Sequence, residues 1–170
     1  MAQLTTRVNR QLDYERALRL VMGLVDYERS TRRPSHSSFH LERVRLLLEQ
    51  IGNPHLKTAT VHIAGTNGKG STAAMITSIL TSEGYKTGLY TSPHLHSTVE
   101  RIRIGLDPIT REIFAALVEQ IWPSVTEVNQ KGEYGSLTFF EVLTAIAFVH
   151  FKQIGCDFQV IEVGLGGRLD

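Results

Sequence analysis

The chain has 170 residues, and 18 Lys plus Arg against 17 Asp plus Glu leave a formal charge of +1 with histidine neutral. At 42% apolar and 21% charged residues it falls among globular proteins, not among charge-rich disordered chains, and so small a net charge gives no footing for nucleic-acid binding. Its single cysteine, Cys156, excludes an internal disulfide framework and a multi-cysteine zinc cluster. No apolar run reaches the roughly 20 residues that cross a bilayer. The first sixteen residues also lack an apolar signal core, so a cytoplasmic protein with no membrane or nucleic-acid partner is expected.

Residues 14–25 place Tyr14, Leu18, Val21, Leu24 and Val25 at helical spacing behind Asp13, a favoured N-cap type. Residues 30–38 are polar and contain Pro34, which predicts a loop in which Arg32 and Arg33 are solvated. A second helix follows, with Leu41, Val44, Leu47, Leu48 and Ile51 as its apolar face, Ser38 as its cap and Gly52 as its stop. From residue 60 the pattern changes to short β-rich runs separated by helices. Residues 60–63 predict a strand, 64–72 a glycine-rich turn, 73–83 a helix ended by Gly84, and 87–90 a second strand. Such a unit is expected to be a right-handed parallel crossover. Residues 99–104 alternate and suggest a β excursion; helices are predicted at 111–122 and 138–153, and 157–163 reads as a buried strand. The fold class is therefore α/β, a mostly parallel sheet with flanking helices of the phosphate-loop type. A glycine loop after a buried strand normally leads into another covering element. Residues 1–170 are accordingly expected to be an amino-terminal portion of a larger protein, with a small complete domain as the alternative.

The strongest chemical signal is GlyThrAsnGlyLysGlySer, residues 65–71, between a predicted strand and a predicted helix. Glycines let consecutive backbone N–H groups close around anionic oxygens, the helix start adds further donors, and Lys69 adds a full charge. The match to the pattern G-x-x-x-x-G-K-S/T fails twice, at Ile63 and at Gly70. Gly70 removes the hydroxyl that usually meets Mg²⁺ beside the lysine, which argues against an ordinary phosphate-loop kinase or nucleotide switch and requires a metal ligand from elsewhere. Ser92, in ThrSerProHisLeuHis (91–96), is a candidate for that hydroxyl, because loops at strand carboxyl ends gather at one crevice. His94 and His96 have no evident third ligand, so zinc is disfavoured. Glu162 sits on an otherwise apolar strand and needs a cation, either a basic side chain such as Arg168 or, preferably, Mg²⁺. Thr138 is a candidate helix cap; Phe139 and Phe140 belong to the core unless one of them stacks on a flat heterocycle.

Taken in order, GTNGKGST, YTSPHL, VERIRI, LTFFE and EVGLGGRLD resemble the folylpolyglutamate synthases, including the bifunctional dihydrofolate synthases, within the wider Mur ligase group. The resemblance runs from about Phe39 to Asp170. It implies the amino-terminal part of a Mur-ligase-type ATP-binding domain, ending after EVGLGGRLD without a carboxyl-terminal domain. It also implies a ligation in which a carboxylate takes the γ-phosphoryl group and glutamate's amine then displaces phosphate. On that resemblance Gly65, Thr66, Asn67, Gly68, Lys69, Gly70, Ser71 and Thr72 hold ATP, with Lys69 stabilising the transferring phosphoryl group, while Ser92 and Glu162 hold Mg²⁺. Substrate contacts are implied for Ser37, Ser38, Phe39, Pro93, His94, Thr138, Phe139, Phe140, Glu141, Leu169 and Asp170. Phe140 would stack on the pterin and Asp170 would hydrogen-bond its ring. The implied partners are folate or dihydropteroate, L-glutamate and ATP. Family members continue to a metal-ligating histidine, a carbamylated lysine and a smaller Rossmann-like domain. Little ligase activity is therefore expected of residues 1–170 alone, an ATP- or phosphate-binding module is the alternative, and an uncovered sheet invites self-association.

Overall fold

The structure is a computed structural model that describes residues 12–27, 40–164, 166 and 167. The predicted loop at 30–38, the cap Ser38 and the substrate candidates Ser37, Ser38, Phe39, Leu169 and Asp170 lie outside the described residues.

Five strands form one sheet: β1 (Ala59–Ile63), β2 (Thr87–Tyr90), β3 (Ile102–Ile104), β4 (Asp107–Pro108) and β5 (Phe158–Glu162). Their order is β1-β5-β2-β3-β4. Strands β1 and β2 both run parallel to β5, whereas β3 is antiparallel to β2 and β4 to β3. The last strand in sequence thus fills the gap between the first two.

Side-chain alternation divides the core in two. Val160 of β5, Leu89 of β2 and Ile63 of β1 pack with Ala73 of helix α3 (Lys69–Ser82) on one face. Ile161 and Tyr90 enter the larger cluster on the other face. That cluster is built by α1 (Tyr14–Met22), α2 (Leu41–Gln50), α4 (Arg111–Lys131) and α5 (Phe139–Gln153). Helix α5 sits close to the sheet because two of its phenylalanines rest on glycines. An added Cβ at Gly88 would lie 2.4 Å from Phe151, and one at Gly164 would lie 2.6 Å from Phe140. The two rings are about three helical turns apart and therefore on one face.

Several boundaries differ from the sequence reading. Helix α1 ends at Met22, before the predicted 25, because the chain turns at Gly23 and Val25 bridges to Thr138. Helix α2 takes His40 as its N-cap, without a side-chain cap bond. Helix α3 starts at Lys69 instead of 73, since Gly68 takes a left-handed conformation (φ 74°) and Thr72 N–H already reaches the Gly68 carbonyl at 2.9 Å. Helix α4 runs on to Lys131, past the predicted end at 122, with Pro123 inside it. Ile121, Val125 and Val128 are buried across the proline, so packing outweighs the lost backbone donor. Of the predicted β excursion at 99–104, residues 102–104 are β3, while Thr98–Arg101 form a 3₁₀ turn in which Glu100 takes up amides of the preceding loop. Asp13 caps α1 through a bond from Arg16 N–H at 2.8 Å, and Thr138 caps α5, as read from the sequence. No helix among the described residues is long and apolar enough to cross a membrane.

Gly88→Ala is expected to cost about 2–3 kcal/mol by overpacking, read as a lower urea midpoint at unchanged slope. Phe151→Leu in the same chain should recover part of that loss.

Candidate functional site

The carboxyl ends of β1, β5 and β2 lie side by side. In register, Ile63 pairs with Glu162 and Tyr90 with Ile161, so the loops after all three strands leave the same edge. Beyond β5 the chain stays with β1: Val163 N–H donates to the Ile63 carbonyl at 3.1 Å, and a Cβ at Gly167 would lie 3.1 Å from the Ala64 Cβ. A crevice at such strand ends is where open α/β sheets bind ligands.

On the β1 side, residues 64–68 are exposed and lead straight into α3. The first-turn amides, those of Lys69, Gly70 and Ser71, have no intrahelical acceptor, as at any helix start. The Lys69 stem returns over the loop, its Cγ 3.7 Å from where a Cβ on Gly65 would stand. The Thr72 hydroxyl donates to the Gly68 carbonyl at 2.9 Å and so braces the turn. Gly65, Thr66, Asn67, Gly68, Lys69, Gly70, Ser71 and Thr72 thus form one continuous loop and helix start with its donors along one rim.

Gly70 is explained by its neighbour. An added Cβ would stand 3.3 Å from Glu162 Oε2 and 3.6 Å from Oε1, so the glycine makes room for the Glu162 carboxylate. Glu162 is only 5% exposed, and Ser92 N–H donates to its Oε2 at 3.1 Å. The glycine turn with its helix start, Glu162 and Ser92 therefore lie side by side in the order β1, β5, β2. A hydroxyl and a carboxylate are hard oxygen donors of the kind Mg²⁺ accepts while keeping several waters, so the residue types present fit that ion. The histidines behave differently. His94 Nδ1 accepts a bond from Arg101 Nε at 2.9 Å, while the His96 ring is largely exposed, 3.7 Å from Glu100. No group of three or more His, Cys, Asp or Glu with metal-site spacing occurs among the described residues.

The LTFFE segment splits into distinct roles. Phe140 is half-buried, 5.8 Å from the Tyr90 ring and seated on Gly164, with part of its surface still open. Phe139 is a correction to the sequence reading: at 1% exposure, beneath the Arg101 guanidinium at 5.1 Å, it is a core residue with no face to offer a substrate. Thr138 and Glu141 form a capping box, the Thr138 N–H donating to Glu141 Oε2 at 2.7 Å and the Glu141 N–H to Thr138 Oγ1 at 3.3 Å. Glu141 also takes Arg43 Nε at 2.8 Å and 2.9 Å on its two oxygens. Pro93 is exposed and follows Ser92 through a cis peptide bond. Arg43, Glu100 and Arg101 escaped the sequence reading. Charged residues usually face solvent, and the only hint was that Glu100 and Arg101 lie within VERIRI.

No family model matches the chain. Among curated proteins, the dihydrofolate synthase/folylpolyglutamate synthase of Bacillus subtilis is 45% identical over 131 residues, 76% of this chain and 30% of that protein. Among solved structures, the folylpolyglutamate synthase of Thermotoga maritima gives a TM-score of 0.81 at 44% identity, over 92% of this chain and 34% of that one. A folylpolyglutamate synthase in complex with AMPPCP and folate gives 0.81 at 32% identity, over 94% of this chain and 37% of its own. The chain therefore spans about a third of the length of the relatives it matches.

The Arg43–Glu141 pair, with side chains 7% and 15% exposed, is testable by stability alone. Arg43→Met leaves a shielded carboxylate without its cation and should cost about 3 kcal/mol in denaturant unfolding.

Proposed function

Because the chain belongs to the folylpolyglutamate and dihydrofolate synthase family, matching the amino-terminal part of its members, we propose that it supplies the nucleotide- and folate-binding half of an ATP-dependent amide ligase. The reaction joins L-glutamate to a reduced folate, to dihydropteroate, or to both, in the cytoplasm. The observation that carries this reading is the contact of the buried Glu162 carboxylate with both Gly70 and the Ser92 amide, at the meeting point of three strand ends.

In this reading the triphosphate tail lies along residues 65–72, with the amides of the first turn of α3 and the Lys69 ammonium facing its terminal oxygens. The substrate carboxylate attacks the γ-phosphorus. A carboxylate O–P bond forms, the bridging β–γ O–P bond breaks, and ADP leaves with that electron pair. The glutamate amine then attacks the acyl carbon, inorganic phosphate departs, and loss of the amine proton leaves the amide. Such phosphoryl transfer depends mainly on positioning and charge stabilisation, which fixed amides and one lysine provide. The Ser92 hydroxyl and the Glu162 carboxylate would hold Mg²⁺, which when bound neutralises charge on the phosphate oxygens. The open part of Phe140 offers the pterin a stacking face, braced from behind by Tyr90 and Gly164. Pro93 and His94 line the same rim from the β2 side.

Among the described residues strand β1 is an edge of the sheet, and α3 exposes Met75 (59%) and Ile79 (63%), so self-association through these surfaces is part of the proposal.

Calorimetric titration of the chain with AMPPCP tests the assignment. Lys69→Met is expected to weaken binding at least about tenfold, and Glu162→Gln to erase the difference between titrations in Mg²⁺ and in EDTA. Unchanged affinity in the Lys69 variant would refute the placement of the triphosphate. Glutamate-dependent ADP release by the same sample separates ligation from binding alone.

A further inference from the structure

SerThrValGlu, residues 97–100, carries the signature of a capping box, in which a carboxylate at the third helical position closes on the amide of the cap residue. The helix it opens here is a single 3₁₀ turn, Thr98–Arg101, that passes directly into β3. Glu100 accepts the Ser97 N–H on Oε1 at 2.9 Å, as the motif demands, but its carboxylate also reaches back beyond the cap. Oε2 accepts the Leu95 N–H at 3.1 Å, and the His96 N–H is shared between the two oxygens at 3.2 Å and 3.3 Å. Three consecutive amides thus converge on one carboxylate, each in a charge-assisted bond.

These amides belong to the loop that carries Ser92. Its near end is tied to the next residue of the turn: the Thr91 N–H donates to the Arg101 carbonyl at 3.0 Å, and Arg101 Nε donates to His94 Nδ1 at 2.9 Å. The far end has little packing to hold it, since Leu95 is 85% exposed and the His96 side chain 88%. The Ser97 hydroxyl lies 3.4 Å from the Tyr14 hydroxyl, longer than the usual bond between two hydroxyls. Backbone bonds therefore set where the far end lies, and Glu100 collects three of them. Between the two ties the loop brings the Ser92 N–H to Glu162 Oε2 at 3.1 Å.

We propose that Glu100 is a positioning residue: by closing the far end of the 91–97 loop it holds Ser92 against Glu162, and so sets the magnesium-dependent part of nucleotide affinity. This deepens the proposed function, since it rests on Ser92 and Glu162 as the residues that hold the ion. The influence of Glu100 passes through the loop backbone, from the amides of residues 95–97 to residue 92.

Amide hydrogen exchange of the ligand-free chain, followed by NMR, reads the positioning without any ligand. In Glu100→Ala the Leu95, His96 and Ser97 amides should lose protection, and the Ser92 amide should exchange at least about tenfold faster although its acceptor Glu162 is intact. The Val163 amide, bonded to Ile63 on the β1 side, should keep its rate, which separates a displaced loop from a general loss of stability. Unchanged Ser92 exchange in the folded variant overturns the proposal, since the Arg101 bonds would then suffice to hold the loop. Glu100→Gln keeps the size of the side chain and offers one acceptor oxygen in place of two. It should show a smaller rise in Ser92 exchange, and an unchanged rate there decides against the proposal if the alanine variant does not fold. Calorimetric titration with AMPPCP gives the second readout. The affinity gained on replacing EDTA by Mg²⁺ should fall about tenfold in Glu100→Ala, with the affinity in EDTA unchanged. Equal losses in both buffers, or an undiminished magnesium gain, overturn the positioning role. Absence of any magnesium gain in the wild-type chain counts against the proposed function, while the hold of Glu100 on Ser92 is decided by the exchange rates.

Discussion

One buried carboxylate organises the site. Glu162 stands at the end of the central strand at 5% exposure, and a charge so placed is costly unless polar partners surround it. The Ser92 amide from the β2 loop donates to it, and Gly70 in the first turn of α3 leaves the space that its oxygens occupy. In the sheet order β1-β5-β2, Glu162 ends the strand that lies between the two whose loops it meets. Residue 70 has no side chain because the space is taken by the carboxylate's oxygens, and a hydroxyl there would compete for that space.

The opposite face of the sheet is built around α5. Phe140 and Phe151 bring the helix down onto glycines near its two ends, and the capping box with Arg43 fixes where it starts. The position of Phe140 at the crevice is therefore set by packing over the whole length of α5, with Tyr90 behind the ring. Glu141 serves two elements, closing its own helix start and anchoring α2 through Arg43.

Much of this was legible because the signals were local. Glycines at fixed offsets around Lys69, the apolar run within 157–163 and cap residues such as Asp13 and Thr138 depend on neighbours a few residues away, and the elements they announce are present. What escaped depends on partners distant in sequence. Arg43 and Glu141 are separated by 98 residues, and nothing near either one announces the other. The helix predicted at 111–122 shows the converse error: it runs on through Pro123 because buried Val125 and Val128 carry it onward. Phe139 and Phe140 are adjacent and alike in composition, and it takes the arrival of Arg101 above one and Tyr90 beside the other to separate a fully buried ring from a half-buried one.

Among the described residues the two faces of the sheet are unequally covered, four helices lying on one and α3 on the other. Strand β1 bears the consequence: Ala59, Thr60 and His62 are exposed, whereas every residue of β2 is buried. The glycine turn hangs from that lightly shielded strand, so amide exchange should be fastest there within the parallel part of the sheet. Any anion that grips the turn ties down β1 in the same event and raises the free energy of its local opening by mass action. Occupancy of the turn and the solvent protection of β1 are then two measures of a single equilibrium.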